Sequence, residues 1–174
     1  MKNYKFCPYC GKPSKKYKEY FACTNCGKVV YLNSYPTASA FIVENSKYLI
    51  SKRAIEPSKG KYDVVGGFLK EGETPEKGLR REFREETGSS VKIIDLLGIY
   101  LGKYDYQGDI ITTFNVCYIA KLTNPKIDPR DDVASFHWFP INKIPKNLSD
   151  PWLAKALKDL QIWYAKQQKI KTNH

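Results

Sequence analysis

No stretch of this 174-residue chain is apolar for long enough to cross a membrane, and the start, Met1 to Cys7, lacks the apolar core of an export signal. The two absences make the cytoplasm, with its reduced thiols, the expected compartment. Acidic residues are in short supply: 18 against 29 lysines and arginines, a formal net charge of +11. That imbalance favours anionic partners such as nucleotides, RNA or acidic surfaces, without choosing among them. Internal repeats are lacking as well, so the chain does not read as a stacked array. Its length suits one good core with room for a small appendage, and leaves a homodimer open.

Cysteine is sparse but patterned. Four of the five form two C-x-x-C knuckles, Cys7-Pro8-Tyr9-Cys10 and Cys23-Thr24-Asn25-Cys26, twelve residues apart, and Gly11 and Gly27 follow directly. Such a turn points two thiolates at one ion, and two turns close a tetrahedral structural zinc site of the ribbon kind. Disulfides are the alternative, disfavoured in a chain without an export signal, and a redox C-x-x-C pair needs no twin. A ribbon over residues 1–34 has little core, so metal binding is expected to supply most of its folding energy, on the order of 10 kcal/mol. Cys117, inside the apolar run Phe114 to Ile119, reads as a buried small hydrophobe.

The most informative stretch runs from Gly67 to Gly88. Thr74 is a good helix N-cap, Pro75 fits the first helical position, Glu76 favours the positive end, and Gly88 suits the stop. Within that helix Glu82, Glu85 and Glu86 stand at offsets 0, +3 and +4, an arc of roughly 100° beside the apolar Leu79 and Phe83. Like charges so placed repel, and the last two sit near the negative end of the helix dipole. A solvated acidic face tolerates this at small cost; a divalent cation held by hard oxygen ligands removes the conflict.

The chain is expected to continue from the ribbon into strands over Thr37–Glu44 and Lys47–Arg53 around a turn at Asn45-Ser46, then a short strand into Gly66-Gly67, a loop and the helix that carries the three glutamates. Strands over Val91–Tyr104 and Ile110–Leu122 flank a Gln107-Gly108 turn, and Ala134–Phe139 is the last. A final helix opens at Asp150-Pro151 with one apolar stripe from Trp152 to Tyr164 that reads as core packing.

The spacing of Gly67, Glu73, Arg81-Glu82-Phe83, Glu85-Glu86 and Gly88 resembles the Nudix box at every charged and glycine position. Ser89 stands where an aliphatic residue is usual, and upstream Tyr62 and Val65 replace the common Trp and Pro. The resemblance covers roughly residues 36–165 and implies an α/β fold, the Nudix α/β/α sandwich with a mixed sheet, over residues 35–174 behind the zinc ribbon. It also implies a metal-dependent hydrolase that cuts the pyrophosphate of a nucleoside diphosphate linked to another group: a dinucleotide, nucleotide sugar or nucleoside polyphosphate. Glu82, Glu85 and Glu86 then hold magnesium or manganese, with Glu73 and Arg81 paired as support. The general base is Glu85 or a carboxylate outside the box. Asp132, six residues before Trp138-Phe139, matches an acidic family position, and Arg53 a position often basic near the phosphates. His137, in strand alternation between Phe136 and Trp138, reads as structural.

A four-cysteine ribbon ahead of such a domain is similar in layout to the NADH pyrophosphatase group, some members of which remove NAD caps from RNA. Tyr31 and Pro36 match positions of that group just after the ribbon. Its S-Q-P-W-P-F-P-x-S array is missing: Gly98 to Gly108 holds neither proline nor tryptophan. Tyr104 and Tyr106 lie where dinucleoside-polyphosphate members carry a tyrosine, so Arg53, Tyr31, Tyr104 and Tyr106 are the substrate-binding candidates. A competing reading is a zinc-ribbon protein that binds RNA through its basic surface and uses the Nudix fold as scaffold. The complete acid set argues against it, since a scaffold has no need of a self-repelling cluster.

Overall fold

Hydrogen-bonded pairing places the strands of the chain in two separate sheets, and the central strands of the larger one are buried in continuous runs. The structure, a computed structural model, describes residues 4–172; the first three residues expected in the ribbon lie outside it. Strands β1 (Ser14–Lys16), β2 (Tyr20–Cys23) and β3 (Val29–Tyr31) form a small antiparallel sheet in that order. The larger sheet holds β4 (Tyr35–Glu44), β5 (Lys47–Arg53), β6 (Tyr62–Asp63), β7 (Val65–Phe68), β8 (Val91–Tyr106), β9 (Asp109–Leu122) and β10 (Val133–Pro140). Its order is β10-β5-β4-β9-β8, with β6 on β5 and β7 on β4. It is mixed, because β4 runs antiparallel to β5 and β7 but parallel to β9.

Two helices cover opposite faces. The first, α1 (Pro75–Thr87), packs Leu79 and Phe83 on Ala38, Ala40, Ile42, Val65 and Tyr118. The second, α2 (Trp152–Thr172), lays Leu153, Ala156, Leu157 and Leu160 on Phe41, Ile50, Cys117 and Ile119 from the other side. Because β4 alternates with period two, Ala40 and Phe41 serve different layers. Each large apolar side chain so buried contributes about 1.5–3 kcal/mol. The result is the α/β/α sandwich with a mixed sheet, and Cys117 is fully buried in one of its layers.

Local signals account for the joints. Asn45 and Ser46 both take positive φ, 47° and 59°, the geometry a two-residue hairpin requires. Thr74 caps α1 by accepting from the Lys77 N–H, and Gly88 closes it in the left-handed conformation at φ 68°. The β8–β9 hairpin runs to Tyr106, two residues past the expected end, because its ladder continues to the Tyr106–Asp109 pair. His137 meets the Ser135 hydroxyl at 2.8 Å and the edge of Tyr62, a structural setting.

Candidate active site and metal centres

In the small sheet the four knuckle thiols converge, their ligand atoms all within 4.8 Å of one another. The Sγ atoms of Cys7 and Cys26 are 3.8 Å apart, Cys10 and Cys23 3.5 Å, and Cys10 and Cys26 3.6 Å. Four thiolates at a Zn–S distance of about 2.3 Å define a tetrahedron with edges of about 3.8 Å, so the residues fit zinc. The separations are far beyond a disulfide bond. The N–H groups of Cys26 and Asn25 point at Cys23 Sγ, each at 3.4 Å, and lower its pKa to about 6, which favours the ligating thiolate.

In the large domain a cavity of ≈ 410 Å³ opens where the β7 turn meets α1, β5 and the β8–β9 hairpin, lined among others by Arg53, Asp63, Glu82, Glu86, Tyr104 and Asp132. Two glycines admit the acids. Gly66 has φ 141°, and a Cβ on it would collide with the Ala38 carbonyl oxygen. A Cβ on Gly67 would stand 2.7–2.9 Å from the Glu82 carboxylate, so that carboxylate lies directly against the backbone. Any larger residue at either position closes the cradle.

Glu86 is 4 % exposed, and the Gly66 N–H reaches its Oε2 at 3.2 Å. No ion pair with a cationic side chain compensates it among the described residues. Burial first, then the charge of Asp132, push its carboxyl well above the ordinary range, with Glu82 and Asp63 adding to the effect. A buried anion surrounded by other anions is what a divalent cation would neutralise. The donor set, hard oxygens around one cavity, fits magnesium or manganese.

Arg81 ties the acids to the preceding loop. Its Nε and Nη2 donate to Glu73 Oε1 and Oε2 at 2.7 and 2.8 Å, a bidentate fork, and Nη2 also reaches the Phe68 carbonyl at 3.0 Å. Its Nη1 donates to Glu82 at 2.6 Å and Glu85 at 3.0 Å. The Arg81 guanidinium, with the Lys70 N–H, pulls the Glu73 carboxyl down to about 2. Glu85, 44 % exposed, faces Arg81 and Lys70 at the rim and does not line the cavity.

Across the cavity Arg53 is nearly buried, its Nε donating to the Pro57 carbonyl at 2.7 Å and Nη1 lying 3.3 Å from Asp63 and 3.2 Å from Asp132. The Asp132 position proposed from the Trp138-Phe139 spacing thus faces the same space as Glu86. Of the tyrosines, only Tyr104 lines the cavity, its ring edge-on to Phe68 with centroids 5.4 Å apart. Tyr106 stands exposed at the hairpin end, and Tyr31 belongs to the small sheet; neither lines the cavity. Sequence reasoning gave no role to Asp63, although an acid directly before an apolar pair and two glycines was a visible signal. It also passed over the neutral wall of Thr37, Ser39, Thr113 and Asn115, which only the pairing of β4 with β9 assembles.

Ser39 is the exception in that wall. The Asn115 amide is held by the Thr37 hydroxyl at 2.7 Å and bonds Thr113 and the Tyr100 carbonyl, whereas Ser39 Oγ, on a residue 4 % exposed, makes no regular hydrogen bond. The buried Cys117 thiol is close enough to feel it, a weak partner at best. Ser39→Ala is therefore expected to raise stability by about 1 kcal/mol, a gain of about 2–4 °C in Tm for a chain of this size. A thermal melt with a lower Tm would mean that the hydroxyl is satisfied.

A model described as the NUDIX domain matches residues 34–160. An ADP-ribose pyrophosphatase of Methanocaldococcus jannaschii is 32% identical over 135 residues, covering 77% of each chain. The NAD-capped RNA hydrolase NudC of Vibrio parahaemolyticus is 28% identical over 160 residues, 91% of this chain but 59% of its own length. The chain thus spans little more than half of that longer relative. Among solved structures, a NUDIX hydrolase from Nitrosomonas europaea superposes with a TM-score of 0.73 at 25% identity, covering 88% of both chains.

Proposed function

The chain belongs to the NUDIX family of hydrolases, and from that premise we propose that it cleaves the pyrophosphate bond of a nucleoside diphosphate carrying a further group. The observation that carries this reading is the convergence of Glu82, Glu86, Asp63, Asp132 and Arg53 on one cavity that also presents Tyr104 and Trp152. Enzymes of this family depend on a divalent metal. Magnesium or manganese held by Glu82 and Glu86, with Glu85 from the rim, would neutralise the pyrophosphate and lower the pKa of the attacking water. Arg81, locked by Glu73, keeps Glu82 and Glu85 in place. Arg53 orients phosphate oxygens from the far wall, Asp132 takes the proton from water, and Tyr104 offers a ring face to a base. Tyr31 and Tyr106, away from the cavity, are left out of the substrate site. Residues 1–34 are proposed as a structural zinc ribbon and 35–174 as the hydrolase domain. No described helix is long and apolar enough to cross a membrane; the proposed zinc ribbon needs its four cysteines as thiolates, which accords with the cytoplasm as the proposed compartment.

The relatives' names support pyrophosphate-linked nucleotides as a class. Within it we propose that NADH is not preferred. The proline- and tryptophan-bearing array of the NADH-cleaving group is replaced by the Gly98–Gly108 stretch, which extends through β8 to the hairpin turn. Without rigid walls for a flat nicotinamide ring, discrimination weakens. Rates for NADH, ADP-ribose, dinucleoside polyphosphates and nucleoside triphosphates under one metal condition test this. An advantage for NADH of about tenfold or more, roughly 1.4 kcal/mol, would restore NADH pyrophosphatase or NAD-cap removal as the function. No hydrolysis of any of them would overturn the enzyme reading and favour the fold as a scaffold.

A further inference from the structure

We propose that the small zinc-ribbon sheet carries a binding face for single-stranded nucleic acid, built on the ring ladder Tyr17–Tyr20–Tyr31. The Tyr17 and Tyr20 rings stack with centroids 4.7 Å apart at 19°, and Tyr20 meets Tyr31 at 5.8 Å. Backbone bonds hold the ladder: Tyr17 N–H donates to the Tyr20 carbonyl at 2.8 Å, and Tyr20 pairs with Tyr31 across β2 and β3. The outer rings stay open, Tyr17 41 % and Tyr31 66 % exposed, and Tyr9, within the first knuckle, is 62 % exposed. No core requires them there, since the ribbon's buried hydrophobics among the described residues are Cys7, Phe21 and Cys23.

Charge selects the partner. Residues 1–34 hold seven lysines against one acid, Glu19. Lysines interleave with the rings: Lys15 Nζ lies 5.6 Å from the Tyr17 centroid and Lys28 Nζ 4.2 Å from that of Tyr9. A single strand offers flat bases to the rings and phosphates to the ammonium groups at alternating intervals. An acidic protein surface matches the lysines but gives the exposed tyrosines nothing to stack on. A duplex hides its base faces. This binding does not depend on the hydrolytic reading, because the face lies outside the cavity.

Fluorescence anisotropy of the zinc-loaded full chain with a labelled mixed-sequence RNA 12-mer, a DNA strand of the same sequence and the RNA duplex tests the assignment. Micromolar binding of a single strand, weaker for the duplex, is expected, with a log–log salt slope near −2 if about three phosphates are contacted. RNA ahead of DNA would identify contacts to the 2′-hydroxyl; equal affinity would leave the shared base and phosphate chemistry. Tyr17→Ala with Tyr31→Ala should weaken binding at least about tenfold. The double Phe variant should keep the affinity, and the double Leu variant, which retains bulk without a ring, should lose it. Zinc content of each variant reports on folding. The proposal is overturned by a dissociation constant above about 100 μM in low salt, by equal affinity for duplex, or by tyrosine variants that bind as the wild type does.

Discussion

Glu86→Gln is expected to lower hydrolysis of the best substrate by at least about 100-fold, the upper end of what losing even an outer-sphere partner of a metal ligand costs, while the metal-free protein becomes no less stable. The two effects have opposite signs for one physical reason. Glu86 is buried beside Asp132, Glu82 and Asp63 and receives one N–H, from Gly66. An amide keeps an oxygen for that N–H and nearly the same shape, yet removes a buried charge that no cation pairs with among the described residues, and the repulsion it feels. Loss of the same charge removes a hard anionic ligand. Glu85→Gln should also lower turnover, but without the gain in stability, because half-exposed Glu85 already has Arg81 and Lys70. Steady-state rates with magnesium and with manganese, beside melts in chelator, check both arms. Turnover indifferent to both substitutions, or to chelation, would move the chemistry away from this helix.

Why these acids could be found without coordinates, while others could not, follows from the range of the interactions that place them. The box helix is written locally. Thr74, Pro75 and Gly88 fix its ends, and offsets of three and four fix which face the glutamates share. The pairing of Arg81 with Glu73 spans one loop and was expected. The knuckles are local too, and their glycines take the left-handed conformation that lets each turn close, φ 69° at Gly11 and 70° at Gly27. Asp63 and Asp132 are different: 69 residues apart, they meet on Arg53 only because the end of β5 accepts β6 along one edge and β10 along the other. Ser39 gains its position from the parallel pairing with Cys117, which no short-range pattern encodes. The tyrosines show the limit most clearly. Tyr31, Tyr104 and Tyr106 looked alike as candidates, yet one belongs to the ribbon, one to the cavity wall and one to the exposed end of the β8–β9 hairpin. Ring chemistry says what each can do; the sheet its strand joins, and how far along that strand it stands, decide where.

The same contrast between local and long-range order governs how the two parts should come apart. The purified protein is expected to carry about one zinc per chain, and Cys10→Ser to release it and unfold the ribbon while the larger sheet stays folded. Phe21 is the single large side chain fully buried among the described residues of the ribbon, and burial of one such ring contributes only about 1.5–3 kcal/mol. Ordering each residue's backbone costs about 1–2 kcal/mol, so β1, β2 and β3 cannot be held by packing. Zinc at four thiolates supplies about 10–16 kcal/mol at neutral pH. Replacing one thiolate by a weakly binding hydroxyl removes much of that. The large sheet has no such dependence, with an apolar layer on each face supplied by α1 and α2. Metal analysis and limited proteolysis read the outcome: cleavage should spread through residues 1–34 and stop near Tyr35, where β4 enters the large sheet. A zinc-free protein with its knuckle cysteines in disulfides would refute the metal site. Simultaneous loss of both parts on Cys10→Ser would show instead that the ribbon supports the sandwich, which the separate sheets give no physical reason to expect.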